Sequence, residues 1–378
     1  MEDSTIDYLI IGPAHPFRGG IAETQHELAF ALLNQGKKVA LLTFTKLYPD
    51  RLFPGKTQKS NAPQPSQLEI VQQLHAYNPF HWKRTVETIK KINPKTIVFR
   101  YYTPFLSPAY CYVAKKLPNN IKKIALVDNW IPHEPRIFDR FFNRRFGKQM
   151  NAFTTLSETV GQQIEKEFTT PLWKGFHPIG AHLLPKISKK DARKQLQWSD
   201  QQSIVLFFGL IRKYKGLELL IKAFAEEILN REDVLLYIAG ECYENSKKYT
   251  ALVANLKIQN KVTFDFNYQN KEAIQLLFSG ADVVAQTYHT ATQSGVTPLA
   301  YFYQTPLLVT NIEGLKSPVE KDQSGLCAEK NSNDIAAKLK VVLNPEHSKI
   351  YQKNIEKALP NYSWQSFAKA WDAFISAV

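Results

Sequence analysis

The chain has 378 residues, enough for two domains that each bury a core. Its 44% hydrophobic and 22% charged residues are typical of a globular protein, and no apolar run reaches the roughly 18–20 residues that a membrane span needs. The net charge of +14 is uneven: residues 1–185 hold 24 Lys and Arg against 14 Asp and Glu (+10), and residues 186–378 hold 24 against 20 (+4), which points to an anionic partner. A membrane surface, a nucleic acid or a phosphorylated ligand would meet that description. No recognition-helix, zinc-finger or RNA-binding signature is present, so nucleic acid is the weakest of the three. Cys111, Cys242 and Cys327 have neither pairing nor metal spacing, and Met1–Asp7 carries three acids and no basic stretch. Both features predict a cytoplasmic chain without a signal peptide.

In chain order, Tyr8–Ile11 reads as a short strand, followed by the loop Gly12-Pro-Ala-His-Pro-Phe-Arg-Gly-Gly20. A helix is predicted from about Ile21 to Gln35, with Gly36 as its stop. Val39–Phe44, Thr96–Tyr101 and Ile124–Val127 read as strands, and Tyr48–Gln67, rich in Pro, Lys, Gln and Ser, as a long loop. The second half repeats the pattern, with strands at Ile204–Phe208, Val234–Ile238, Val262–Phe266, Val283–Ala285 and Leu307–Thr310 alternating with helical periods. That alternation predicts an α/β protein: two doubly wound, Rossmann-like domains with parallel sheets, facing a central cleft at the strand carboxyl ends. The boundary falls within Phe176–Lys194, giving domains 1–182 and 183–362, with a capping box from Ser188 to Asp191 opening the second. The segment Ser363–Ala377 places Trp364, Phe367, Ala368, Trp371 and Phe374 on one side, a face that needs a docking partner such as the first domain.

Residues 136–150 form a basic amphipathic pattern. As a helix, Phe138, Phe141, Phe142 and Phe146 make one stripe and Arg136, Arg140 and Arg144 another. Two readings are open: a helix lying on an anionic leaflet, or a core helix whose Phe stripe is buried and whose Arg stripe is solvated.

The most informative stretch is 204–224. A strand buried on both faces, Ile204–Phe208, ends at Gly209; Arg212 and Lys215 follow in one short loop, and Gly216 opens a helix with Leu217, Leu220, Ile221 and Phe224 on its apolar face. Two cations beside a helix N-terminus suit a diphosphate. The plain alternative is a surface loop with solvated cations. Ser294, Gly295, Val296 and Thr297 open a later helix, as an anion site or as an ordinary N-cap.

Taken together, the Gly-Gly loop, the Arg-x-x-Lys-Gly loop and the Ser-Gly turn followed by a helix and Pro-Leu-Leu-Val-Thr310 resemble the retaining, nucleotide-sugar-dependent glycosyltransferases of family four, which have the GT-B fold. The resemblance covers nearly the whole chain and is strongest from Ile204 to Gly325. It implies that Arg212 and Lys215 neutralise the leaving nucleoside diphosphate, assisted by Gly19, Gly20, Ser294, Gly295, Val296 and Thr297. It places Gly209, Glu241, Thr292 and Gln293 near the donor sugar and nucleoside, and Asp128 and His133 near the reacting centre, with His15 a weaker candidate. It also implies that the final helix crosses back onto the first domain. One departure stands out: the family's glutamate pair is replaced by Ala291 and Leu299, or by Thr292 and Ala300 in a second register. No Asp-x-Asp pair or other ligand spacing for a metal occurs, so neither metal nor cofactor is expected beyond the nucleotide sugar itself. The expected acceptor is a glycan or a lipid-linked chain, at the inner face of a membrane if the helix at 136–150 touches one. The alternatives are a non-catalytic binding relative, a sugar-nucleotide epimerase on the same fold, and a basic nucleic-acid-binding protein.

Overall fold

The computed structural model describes residues 5–48, 59–60, 63–131, 137–180, 183–228 and 233–378. His133 and Arg136 lie outside them, as does most of the loop predicted over Tyr48–Gln67. The chain divides into two compact units, Met1–Pro178 with Trp364–Val378, and Ile179–Ser363. The sequence reading put these breaks at 182/183 and 362/363.

In the first unit the strands are β1 (Tyr8–Ile11), β2 (Val39–Lys46), β3 (Glu69–His75), β4 (Thr96–Tyr101), β5 (Lys122–Val127), β6 (Ala152–Thr155) and β7 (Leu172–Lys174). They form one parallel sheet in the order β3-β2-β1-β4-β5-β6-β7. The second unit has β8 (Ser203–Phe208), β9 (Val234–Ala239), β10 (Val262–Asp265), β11 (Val283–Gln286), β12 (Leu307–Thr310) and β13 (Gly325–Ala328), ordered β10-β9-β8-β11-β12-β13 and again parallel. Both sheets reverse direction of growth once, beside β1 and β4 in the first and beside β8 and β11 in the second. At such a switch point the loops diverge to opposite faces and leave a crevice at the strand carboxyl ends.

The central strands are apolar because helices cover both faces: Leu9, Ile10, Ile11, Ile204, Val205, Leu206 and Phe207 are fully buried. Strands β3, β6, β7 and β13 carry no comparable apolar run, and the sequence reading did not pick them out. Strand β6 is Ala-Phe-Thr-Thr, and its threonines are buried because they have partners, Thr154 donating to the Ala125 carbonyl at 3.2 Å.

The C-terminal helix Trp364–Ala377 belongs to the first unit. Trp371 is fully buried, its indole N–H donates to Thr154 Oγ1 at 3.0 Å, and its ring lies 5.2 Å from that of Tyr8. Phe367 meets Trp173 at 5.0 Å, and Asp372 pairs with Lys37 at 2.9 Å. The aromatic face read from the sequence is therefore buried against β1, β6 and β7.

The helix read at 136–150 runs from Asp139 to Gly147, and its Phe stripe is divided. Phe146 is fully buried, Phe142 is half-buried, and Phe138 and Phe141 are exposed. The core reading holds for Phe146 and in part for Phe142 but not for Phe138 and Phe141, since helical spacing sets the face but not how much of it the core covers.

Candidate functional site

The second unit's switch point brings together the loop after β8 and the loop after β11. After Phe208 the chain passes Gly209, a 3-10 turn at Lys213–Lys215 and Gly216, and the helix Leu217–Ile228 begins. Gly216 closes the turn and also opens the helix, its carbonyl accepting the Leu220 N–H at 3.3 Å, as the sequence predicts. Its φ of +60° and the Thr287 carbonyl, 2.1 Å from where a Cβ would stand, leave room for glycine only. Gly209 has a φ of +102°, and a Cβ there would stand 2.9 Å from Lys215 Nζ.

These two glycines let the turn fold tightly enough to draw Lys215 inward. Lys215 is only 7% exposed, and its ammonium lies 5.1 Å from the centre of the Tyr288 ring. No carboxylate pairs with it among the described residues. A nearly buried cation without a counter-charge is costly, and an anionic ligand would remove that cost. Arg212 is exposed and lies 5.1 Å from the ring centre of Tyr243, whose hydroxyl donates to Glu241 Oε2 at 3.3 Å. Glu218 stands in the first turn of the following helix, with Oε1 3.3 Å from His289 Nε2 and Oε2 buried without a hydrogen-bond partner.

From the other side come Thr287–Thr297. Tyr288 reaches Ser294 through a hydroxyl contact of 3.3 Å, and Ser294 Oγ accepts the Val296 N–H at 3.2 Å. In this loop Val296, Thr292 and Thr297 are buried, Gln293 is half-buried and Gly295 is exposed. Thr297 turns its hydroxyl to Gln286, accepting from Nε2 at 3.1 Å, and so faces the unit's interior. The helix that follows, Val296–Phe302, has seven residues.

The first unit's switch point carries the other candidates. Gly19 and Gly20 open the helix Gly20–Leu33, and nothing lies within 4 Å of where a Cβ would stand on either. His26 Nε2 accepts the His15 N–H at 3.0 Å, steadying the loop. Asp128, at the end of β5, is 5% exposed and gripped by Arg100 from β4: Nε to Oδ2 and Nη2 to Oδ1, both 2.6 Å. Both carboxylate oxygens are committed to a guanidinium that is itself 1% exposed, so the site presents Asp128 as a buried counter-ion.

Several residues here escaped the sequence reading: Arg100, Tyr243, Glu218 and above all Tyr288. Arg100 sits in an apolar strand and gave the one usable signal, a charge inside a run that must be buried. Tyr288 gave none, since its role depends on a lysine 73 positions earlier in the chain (288 minus 215).

Burial also holds three histidines of the first unit below the ordinary imidazole range: His26, His75, where His81 and Lys46 add to the effect, and His177. They bind protons less readily in the folded chain than in the unfolded one, so stability drops as pH falls through the unfolded value of about 6.5. Each contributes at most about 1.4 kcal/mol per pH unit. Urea midpoints should fall from about pH 7.5 to about pH 5.5, and a rise over that window would contradict the assignment.

Among the described residues, no three His, Cys, Asp or Glu side chains converge as a metal ion would require. No described helix is long and apolar enough to cross a membrane.

Comparison with known proteins bears on this geometry directly. Residues 188–358, which hold the Arg212–Gly216 turn and the Thr287–Thr297 loop, match the family described as glycosyl transferases group 1. That stretch of the chain is similar to group 1 glycosyl transferases. It is 27% identical over 226 residues to an uncharacterised glycosyltransferase of Methanocaldococcus jannaschii, a match covering 57% of each chain. Sucrose-phosphate synthase from Thermosynechococcus elongatus superposes with a TM-score of 0.76 at 15% identity, over 98% of this chain and 100% of that one. The Anabaena protein HepE, solved in complex with UDP, gives 0.75 at 14% identity, over 99% and 100%. HepE has also been solved with UDP-glucose. These likenesses show the fold, the GT-B arrangement of two Rossmann-like units.

Proposed function

We propose that this protein transfers a sugar from a nucleoside-diphosphate sugar to a glycan or lipid-linked acceptor, with retention and without a metal ion. The observation that carries the reading is Lys215: 7% exposed, lacking a carboxylate partner among the described residues, and held at the switch point of the unit that matches group 1 glycosyl transferases. An oxocarbenium-like sugar leaves only if the charge developing on the diphosphate is stabilised in place. Lys215 supplies a buried cation for it and Arg212 an exposed one, the work a divalent ion does elsewhere. HepE's complexes with UDP and UDP-glucose support a donor of this class. Retention rests on the likeness to family four.

The test is a thermal-shift panel of UDP, GDP, ADP, dTDP and CMP on the wild type and Arg212→Ala. One nucleoside diphosphate should stabilise the wild type far more than Arg212→Ala and so identify the base. Absence of a shift with every nucleotide would remove the donor site.

A further inference from the structure

The helix Asp139–Gly147 is pinned to the first unit by one face and bare on the other. Phe146 stacks on Tyr101 with ring centroids 4.2 Å apart and planes within 7°. Asn143 accepts from the Tyr101 hydroxyl at 2.6 Å and donates to the Trp130 carbonyl, and Ser107 donates to the Phe142 carbonyl at 2.6 Å. These contacts fix the helix in rotation and register, so its outer face cannot turn inward.

That face carries Phe141, 57% exposed, and the turn just before the helix adds Ile137 and Phe138, 94% and 68% exposed. Beside them is a concavity of about 620 Å³ walled by Lys115, Arg140, Phe141, Arg144, Arg145 and Lys148. Glu167 pairs with Arg144 at 2.9 Å and reaches Arg140 at 3.9 Å, and Asp139 stands in the helix's first turn. Lys115, Arg145 and Lys148 have no carboxylate partner among the described residues. Five cations therefore line one hollow, two of them facing Glu167, and of the exposed apolar side chains Phe141 shares its wall.

We propose that this face docks on an anionic lipid leaflet, with lipid phosphates in the concavity and Ile137, Phe138 and Phe141 among the upper acyl chains. Each half of the surface needs the other to be explained. Unpaired cations around a hollow call for phosphate oxygens, and exposed bulky apolar groups on the same helix and the turn before it call for a layer they can enter. A nucleic-acid duplex would satisfy the cations but offers nothing to receive Ile137 and Phe138. The inference stands apart from the sugar-transfer reading, since vesicle binding needs neither donor nor turnover.

The test is co-sedimentation of the full chain with vesicles of phosphatidylcholine alone and of phosphatidylcholine mixed with phosphatidylglycerol. The wild type should bind the mixed vesicles, weaken with added salt, and ignore pure phosphatidylcholine. Lys115→Gln/Arg145→Gln/Lys148→Gln should bind roughly 100-fold more weakly, three surface charges each contributing about fivefold. Ile137→Ser/Phe138→Ser/Phe141→Ser, which leaves the charges in place, should also lose most binding. Far-ultraviolet circular dichroism should show both variants folded, as their positions are exposed. Equal binding to both vesicle types, or an unaffected apolar variant, would overturn the proposal. So would capture of glycerol phosphate or a DNA duplex by a chain that ignores the mixed vesicles.

Discussion

Replacing Lys215 with methionine should abolish stabilisation by the donor nucleotide while leaving the unliganded fold at least as stable as the wild type. The two effects have one cause. Lys215 is only 7% exposed, and no protein carboxylate compensates its charge among the described residues. Methionine has a similar length and fills the space over Tyr288 without a charge. The wild type should gain about 2.7 kcal/mol from a nucleoside diphosphate at 100 times its dissociation constant, and Lys215→Met close to nothing. Turnover should fall by about 2–4 kcal/mol of transition-state stabilisation, or 10²- to 10³-fold. Melting temperatures with and without ligand, taken alongside initial rates, read both effects. An unchanged ligand shift in Lys215→Met would place the diphosphate elsewhere; a much less stable unliganded variant would show that the lysine is structural.

The second large effect is expected at Asp128. Asp128→Ala leaves Arg100 buried, with Nη1 already lacking a partner and two further donors deprived of theirs. Breaking such a pair from one side costs about 3–5 kcal/mol. Removing both charges in Arg100→Leu/Asp128→Ala should restore much of it, because the penalty lies in the orphaned guanidinium and not in the absence of a favourable pair. Urea midpoints with unchanged slopes would measure this. A loss under about 1 kcal/mol in the single variant would mean that the pair is not held as described. The same variants separate the two roles open to Asp128. If it only anchors β4 to β5 as a counter-ion, the double variant should recover turnover along with stability. If it takes a proton from the acceptor, stability should return and turnover should not.

The groups behind the Lys215 expectation were largely legible in the chain itself. The run Ile204–Phe208, the glycines that bracket the next turn and the spacing of Arg212 and Lys215 are local facts, and local facts fix a strand, a turn and a charge at its end. The alternation of strands and helices was equally open to reading, and with it the doubly wound class. Asp128 shows the opposite case. Its position after a strand was readable, but its partner Arg100 comes from a neighbouring strand 28 residues earlier, and the pairing exists only because β4 and β5 lie side by side.

Sequence by itself thus determined the elements, their order and the kind of chemistry at their ends, because backbone preference and apolar periodicity act over a few residues. The tertiary structure decided which of those groups are buried, and against what. It set Lys215 over Tyr288, locked Asp128 to Arg100, carried Trp371 to Thr154 across 217 residues, and split one phenylalanine stripe into a core anchor, Phe146, and an exposed rim, Phe138 and Phe141. Each of these depends on contacts between segments far apart in the chain. There, the energy of a charge or a ring is set by its neighbours in space, and a linear pattern does not record them.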